Sequence, residues 1–210
     1  MKTHRNYLVA AGLLALMLAL PCRSAAAPGQ TSHFKFKGPT ANAFFDSVDV
    51  TGCVETQAFV QGVNTRIKTV GPPGTTPSAF VLLEQVDNCS FTILLSATGF
   101  TDLPPGAFQI KKNLTTATLN TSIDVFDVVS NSTFPVDISV SWTGTGTVTV
   151  SKIRNMFTAP GFRENFMSTG ASRAATASGS VTALGTNFSP SPAVPADLED
   201  LKVGDLTVTH

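Results

Sequence analysis

Hydrophobic and polar residues alternate along much of the chain from about residue 33 onward, and residues 136–143 show this most clearly. The apolar residues of that segment occupy every second position: Val136, Ile138, Val140 and Trp142. Because successive side chains of a β-strand point to opposite faces, the pattern predicts a strand with one buried and one solvated face. Gly144-Thr145-Gly146 follows, and the alternation resumes at Val148 and Val150. We therefore expect a central hairpin that turns at these glycines.

Two further hairpins are predicted before this one. Residues 117–129 share one phase of alternation, and Asn131 would lie in the turn that leads to Phe134. Residues 79–86 and 89–97 form a third pair, joined through Asp87-Asn88, two residue types that tolerate positive φ. Gly, Pro and Asn recur every eight to twelve residues or so, a spacing typical of short antiparallel strands. The expected fold is all-β: a single antiparallel β-sandwich, jelly-roll or immunoglobulin-like.

Residues 154–173 depart from the alternation. Their large apolar residues have no clean period of two: Met156, Phe157, Phe162, Phe166 and Met167. We expect a long loop with a helical turn after the central hairpin, with its aromatic side chains over one end of the core. Arg163, Glu164 and Arg173 lie among these residues and make the loop a candidate contact region. A lid that only covers the end of the core is the favoured interpretation of this loop.

The segment after residue 188 is rich in proline and then acidic. Residues 189–195 contain three prolines and predict an extended, semi-rigid connector. Asp197, Glu199, Asp200 and Asp205 offer oxygen ligands for calcium, but they lack the Asp-x-Asp-x-Asp-Gly spacing of a tight calcium loop. A capped helical turn at the surface is therefore the favoured interpretation of this stretch.

The N-terminus has the three parts of a signal peptide. Lys2 and Arg5 give a positive start, residues 8–20 are apolar, and small residues follow at 24–27. The apolar run is shorter than the ~20 residues that a membrane-spanning helix needs. We predict a signal peptide at 1–26 and a mature domain at 27–210, secreted, periplasmic or held at the cell surface, with no membrane span. A lipid-carrying Cys22 is the rival interpretation, and Pro21 before it argues against that.

Removal of residues 1–26 leaves two cysteines and 11 basic against 14 acidic residues. Cys53 and Cys89 are then expected to form a disulfide, as cysteines of exported proteins commonly do. A redox-active pair would usually be closer in sequence, as in Cys-x-x-Cys. A net charge of about −3 without a basic arm disfavours binding to nucleic acid or to an anionic membrane.

No catalytic or metal-binding motif is present, and no cofactor is predicted. The histidines after residue 26 are His33 and His210, both near chain ends, and there is no Gly-x-Ser-x-Gly. Two carboxylates could still support glycoside hydrolysis if the fold brought them together. The candidates are Asp46, Asp49, Glu55, Glu84, Asp87, Asp124, Asp127 and Asp137. Asp124 and Asp127 fall on opposite faces of a strand, Asp137 falls on a solvent face, and Glu55 and Glu84 could face each other.

Carbohydrate binding has little support from the aromatic residues. Sugar-binding faces usually stack Trp or Tyr rings against the ligand. Tyr7 lies in the predicted signal peptide, and Trp142 falls in the buried row of its strand. A weak carbohydrate-binding module therefore remains only as an alternative.

Four short segments are similar to uncharacterised secreted bacterial β-rich proteins. They are residues 52–56 (Gly-Cys-Val-Glu-Thr), Asn88-Cys89, residues 141–146 (Ser-Trp-Thr-Gly-Thr-Gly) and residues 177–181 (Ala-Ser-Gly-Ser-Val). The resemblance implies export and a β-rich fold, and it implies no activity. The hypothesis from the sequence is a secreted, non-enzymatic β-sandwich module that acts through extracellular binding or a structural role, with an unknown extracellular or cell-surface partner. A secreted two-carboxylate hydrolase is the alternative.

Overall fold

The computed structural model describes residues 31–68, 74–160 and 162–209. The predicted signal peptide, its cleavage site and His210 lie outside the described residues. The described part contains these strands and no helix: β1 (Thr31–Val48), β2 (Val54–Lys68), β3 (Gly74–Asp87), β4 (Thr92–Asp102), β5 (Phe108–Ile110), β6 (Thr116–Asp127), β7 (Ser132–Gly144), β8 (Thr149–Ala159), β9 (Phe162–Ala183), β10 (Thr186–Asn187) and β11 (Val194–Thr209). Accordingly, nothing in the described ranges has the length and hydropathy of a helical membrane span.

The strands form one antiparallel sheet in which eight of them close a ring. Hydrogen-bonded pairing runs from β1 through β2, β3, β4, β6, β7, β9 and β11 and returns to β1. The contact between β4 and β6 is the shortest of these, with two paired positions. The predicted antiparallel all-β fold is confirmed. The predicted sandwich is not confirmed, because every strand is hydrogen-bonded into this single sheet.

The core fills the inside of the ring, and the strands of the ring contribute alternate side chains to it where they line the interior. In β7 the alternation is complete over Phe134, Val136, Ile138, Val140 and Trp142, all of which are buried. Trp142 is 1 % exposed, and its indole Nε1 donates a hydrogen bond of 2.9 Å to the backbone oxygen of Asn42 in β1. The bond crosses the interior, so it satisfies the one polar atom that this large ring carries into the core. The predicted burial of Trp142 is confirmed.

Two glycines allow close approaches that shape the ring. Gly179 in β9 has φ 139°, and a Cβ there would lie 2.0 Å from the backbone oxygen of Ser139 in β7. Gly62 in β2 faces the ring of Phe108 from β5, which would lie 2.5 Å from an added Cβ. Phe108 is buried, so the short β5 closes the interior beside β6 at the end that β4 does not reach.

The predicted central hairpin at Gly144-Thr145-Gly146 is wrong. β7 pairs with β6 and β9, whereas β8 pairs with residues 162–172 of β9. Both strands run antiparallel to β9 along the same edge, one after the other. Residues 145–148 therefore interrupt a nearly continuous path instead of reversing it, and the Thr145 amide donates to the Ala174 oxygen of β9. Alternation on both sides of a glycine pair fits either geometry, because it reports which face is buried and not which strand is the partner.

The predicted loop with a helical turn at residues 154–173 is also wrong. These residues belong to β8 and β9, which form a hairpin paired from Thr149↔Ser172 to Ala159↔Phe162. Ten of the eleven residues of β8 are exposed. A period of two in hydrophobicity appears only where one face of a strand is buried, so a strand exposed on both faces loses that signal.

The acidic stretch near the C-terminus is a strand and not a capped helical turn. Residues 197–200 lie within β11, between β9 and β1. Ala196 and Leu198 point into the core, and Asp197 and Glu199 point to solvent. The alternation was present in the sequence, but the charged positions obscured it.

Candidate binding surface

Three turns lie at one end of the ring. They are residues 49–53 between β1 and β2, residues 88–91 between β3 and β4, and residues 128–131 between β6 and β7. We call this set the turn surface. The Asn88 amide donates to the Cys53 oxygen, and the Val128 amide donates to the Ser96 oxygen of β4. The first bond joins the first and second turns, and the second bond joins the third turn to β4.

The predicted Cys53–Cys89 disulfide is confirmed and joins the first two of these turns. The S–S distance is 2.00 Å, and the Cα atoms lie 5.2 Å apart. Asp87 brings a carboxylate oxygen within 4.8 Å of both sulfur atoms. Because both sulfurs are bonded to each other, they cannot act as thiolate ligands for a metal in this state. A disulfide of this kind is typical of oxidising compartments.

The second and third turns are built on the same plan. Each begins with an aspartate that ends a strand, has a serine three residues later, and reaches a hydroxyl residue two positions after that. Asp87 Oδ1 accepts from the Cys89 and Ser90 amides, and Ser90 Oγ donates to Thr92 Oγ1. Asp127 and the residues after it repeat this arrangement.

In the third turn the aspartate is buried and carries more bonds. Asp127 accepts from the amides of Val129 and Ser130, from the Ser130 hydroxyl and from the Ser96 amide of β4. Burial by itself would raise the pKa of Asp127, but these hydrogen bonds outweigh it and lower the pKa to about 2. The carboxylate is a structural cap of the turn, which leaves it unsuited to proton transfer near neutral pH.

The two turns differ at the position with left-handed backbone. Asn131 has φ 53° in the third turn, and Phe91 has φ 55° at the equivalent position of the second. Asparagine adopts this conformation readily, whereas a bulky apolar residue there is a conformational outlier. The Phe91 side chain is 90 % exposed, so packing does not compensate for the strain.

Large apolar side chains are exposed on all three turns. Those on the turns or on the strand ends within two residues of them are Val48, Val50, Phe91, Ile93, Phe126, Val128 and Val129. Single exposed apolar residues are common on protein surfaces, whereas several of them at one end of a fold make a candidate contact site.

Acidic residues surround this apolar group. Asp49 accepts hydrogen bonds from the Thr51 hydroxyl and from the Cys53 and Val54 amides, and these bonds lower its pKa. Glu55 accepts from Asn88 and Gln57. No Lys or Arg occurs in residues 38–65, 74–110 or 113–151, which supply all three turns and the strand ends beside them. The turn surface is therefore apolar and negatively charged.

The carboxylates considered for hydrolysis do not form one cluster. Asp124 and Asp127 lie on opposite faces of β6, and Asp137 is exposed on β7, as the sequence predicts. Glu55 and Glu84 do share the outer face of the ring, with Glu84 opposite Gln57. Burial raises the pKa of the nearby Asp46 carboxyl, and the charge of Glu55 raises it further.

The three residues of the predicted contact region are not brought together. Arg163 and Arg173 lie on β9, ten residues apart, which is roughly 33 Å along an extended strand. Glu164 points to the other face, opposite Phe157 of β8. Arg163 is exposed and contacts the Met156 sulfur at 3.4 Å, whereas Arg173 is half-buried. Their role in binding stays a prediction.

The sequence analysis missed the turn surface, although the sequence contains a signal for it. Asp87-x-x-Ser90-x-Thr92 and Asp127-x-x-Ser130-x-Ser132 repeat one pattern at the ends of two predicted hairpins. An alignment of these two segments by their aspartates sets Phe91 against Asn131.

Comparison with protein-family models, with curated proteins and with solved structures finds no match to this chain.

Proposed function

We propose that this protein is an extracellular binding module without enzymatic activity, and that the turn surface is its contact site. The disulfide supports an oxidising environment. The rigid ring holds three short turns in fixed positions, as expected of loops that carry recognition on a scaffold.

The exposed Phe91 is the observation that carries the proposal. The chain builds the same turn with Asn131 at the equivalent position, so the fold does not need phenylalanine there. A residue that costs conformational energy and buries nothing in the free protein is best explained by a contact with a partner.

The proposal is tested by comparing the exported protein with its Phe91→Asn variant. Each protein is applied in labelled form to a glycan array. Each is also immobilised and exposed to culture-supernatant proteins, and the retained proteins are identified by mass spectrometry. We expect at least one ligand that the wild type retains and the variant loses. Phe100→Asn is the matched control, because Phe100 is 58 % exposed near the far end of β4 and should keep the ligand. Equal retention by wild type and Phe91→Asn would contradict the proposal.

We also propose that opposite sides of the ring pack as the two layers of a flattened sandwich. The hydrogen bond from Trp142 in β7 to Asn42 in β1 supports this, because these strands are separated by β9 and β11 around the ring.

Glycoside hydrolysis has one observation in its favour and is the second candidate function. Asp46 and Glu55 share the outer face of neighbouring strands, and their charges interact. A carboxyl with a raised pKa beside a second carboxylate is the arrangement that general acid catalysis uses. Turnover of aryl glycosides by the wild type, and its loss in Asp46→Asn and Glu55→Gln, would replace binding with catalysis as the function.

A further inference from the structure

The Lys and Arg residues of the described ranges lie toward the end of the ring opposite the turn surface. β7 runs from the third turn to Gly144, and β8 continues in the same direction along β9. The β8–β9 hairpin, residues 149–172, therefore projects at that opposite end. It contains Lys152, Arg154 and Arg163 against the single acid Glu164. Lys37, Lys111, Lys112 and Arg173 also lie at that end or beside the hairpin, together with the acids Asp102 and Asp200, so cations outnumber acids there.

The turn end has the opposite charge. Its strand ends and turns carry seven acidic residues and no Lys or Arg: Asp46, Asp49, Glu55, Glu84, Asp87, Asp124 and Asp127. The molecule thus has an acidic pole and a basic pole along the strand direction.

Both poles also expose large apolar side chains. The hairpin exposes Val150, Ile153, Met156, Phe157 and Met167. Along β8, Lys152, Arg154 and Met156 share one face, and Ile153 and Phe157 lie on the other, because side chains alternate along a strand. The cationic residues therefore lie on the same face as the methionines. The outer edge of β8 has no strand partner among the described residues. Such an edge, with exposed apolar side chains, is a place where another chain can add.

We propose that the turn surface of one molecule binds the β8–β9 hairpin of a second copy, head to tail. This names a partner for the contact site proposed above and so rests on that proposed function. Opposite charges and apolar side chains face each other in this arrangement. Two turn surfaces placed together would instead bring acids against acids, and two hairpins would bring cations against cations. The favoured contact is therefore heterologous, and each copy keeps one free pole for a further molecule.

The experiment is sedimentation of the exported protein and of two variants, one for each pole. Phe91→Asn changes the turn surface, and Phe157→Ser changes the exposed hairpin. We expect the wild type to form dimers and longer species as its concentration rises, and less so in high salt, which screens the charges. Each variant alone should associate about tenfold or more weakly.

A mixture of the two variants distinguishes this arrangement from other kinds of association. The Phe91→Asn molecule keeps its hairpin, and the Phe157→Ser molecule keeps its turn surface, so an equal mixture should form dimers and stop there. Circular dichroism of each variant checks that both are folded, and Phe100→Asn should associate like the wild type.

Three outcomes would overturn the proposal: a monomeric wild type at all concentrations and salts, variants that associate like the wild type, or a mixture that stays monomeric. If the wild type is monomeric but retains another ligand that Phe91→Asn loses, the second copy is wrong as the partner and the proposed binding function stands. If Phe91→Asn keeps both self-association and ligand retention at the wild-type level, both the head-to-tail contact and the proposed binding function are rejected.

Discussion

The second and third turns have a similar backbone conformation but different residues at the left-handed position, so they can be compared within one molecule. Both place an aspartate cap, a serine and a left-handed residue in the same order, and of these three the left-handed residue differs in chemical type. At asparagine the backbone and the side chain agree, because its short polar side chain tolerates positive φ. At Phe91 the left-handed backbone is unfavourable for the bulky side chain. The turn therefore requires the backbone conformation but does not require phenylalanine.

Replacing Phe91 with asparagine should stabilise the protein. The change relieves left-handed strain and loses no buried contact, so we expect a gain of about 0.5–1 kcal/mol in the free energy of unfolding. Urea unfolding followed by circular dichroism measures it. The reverse change in the twin turn, Asn131→Phe, should cost a similar amount. A loss of stability in Phe91→Asn would mean that the phenylalanine has a structural role.

Protonation of Asp127 in acid should lower the stability of the protein. Its pKa is lowered to about 2 in the folded protein, below the value of about 3.9 in an unfolded chain. A lowered folded-state pKa contributes stability above the unfolded pKa, and that contribution is lost as the pH falls from about 4 toward 2. We expect about 1–2 kcal/mol from this group, after allowance for solvent screening.

The measurement compares wild type and Asp127→Asn in urea at pH 7 and at pH 2.5. The variant should be less stable at pH 7, and the difference should shrink at the lower pH. Asp124→Asn, at an exposed position of the same strand, serves as the control. A difference that does not change with pH would show that the loss comes from packing and not from the charge.

Strand segments follow from the sequence of this protein far better than strand partners do. β6, β7 and the β3–β4 hairpin lie close to their predicted positions, because one face of each is buried and the alternation is visible. β8 and the middle of β11 were missed, the first because both faces are exposed and the second because charges obscure the alternation. The pairing of β7 with β9 was not predictable, since it depends on contacts more than thirty residues apart.

Gly179 should be the most demanding glycine of β9. Alanine there would meet the Ser139 oxygen of β7 and would also have to adopt φ 139°, a region that is essentially restricted to glycine. We expect Gly179→Ala to lower the free energy of unfolding by about 2–4 kcal/mol. Gly185→Ala is the matched control: it has φ 75° and no atom within 4 Å of the added carbon, so it should cost about 1 kcal/mol. Equal costs at the two positions would exclude the close approach between β7 and β9.

At the scale of the whole molecule, the Cys53–Cys89 disulfide is the one covalent cross-link among the described residues. It closes a segment with a sequence separation of 36 residues around β2 and β3. In the chain-entropy treatment, a loop of this size stabilises a fold by roughly 3–4 kcal/mol. The sequence predicts this bond, because two cysteines remain once the predicted signal peptide is removed. The turn surface that the bond supports could not be inferred in the same way, since it depends on how three turns are placed in space.

Reduction should therefore lower stability without removing the fold entirely. We expect the midpoint of urea unfolding to fall in dithiothreitol, by an amount equal to that of the Cys53→Ser/Cys89→Ser double variant. Tryptophan fluorescence reports the transition, because Trp142 is buried in the core. If reduction leaves the midpoint unchanged, the bond does not constrain the unfolded chain as described.

The pairing of β1 with β11 has a consequence for the order of folding. Thr31 lies opposite Thr209, so β1 cannot complete its hydrogen bonds until β11 has been synthesised. During synthesis the hairpins of the amino-terminal half can assemble early, while one border of β1 stays unsatisfied. Contacts between such distant positions make folding slow, and an open border is a template for aggregation until the final strand arrives. Truncation of the last dozen residues should thus produce insoluble protein, even though those residues lie far from the turn surface.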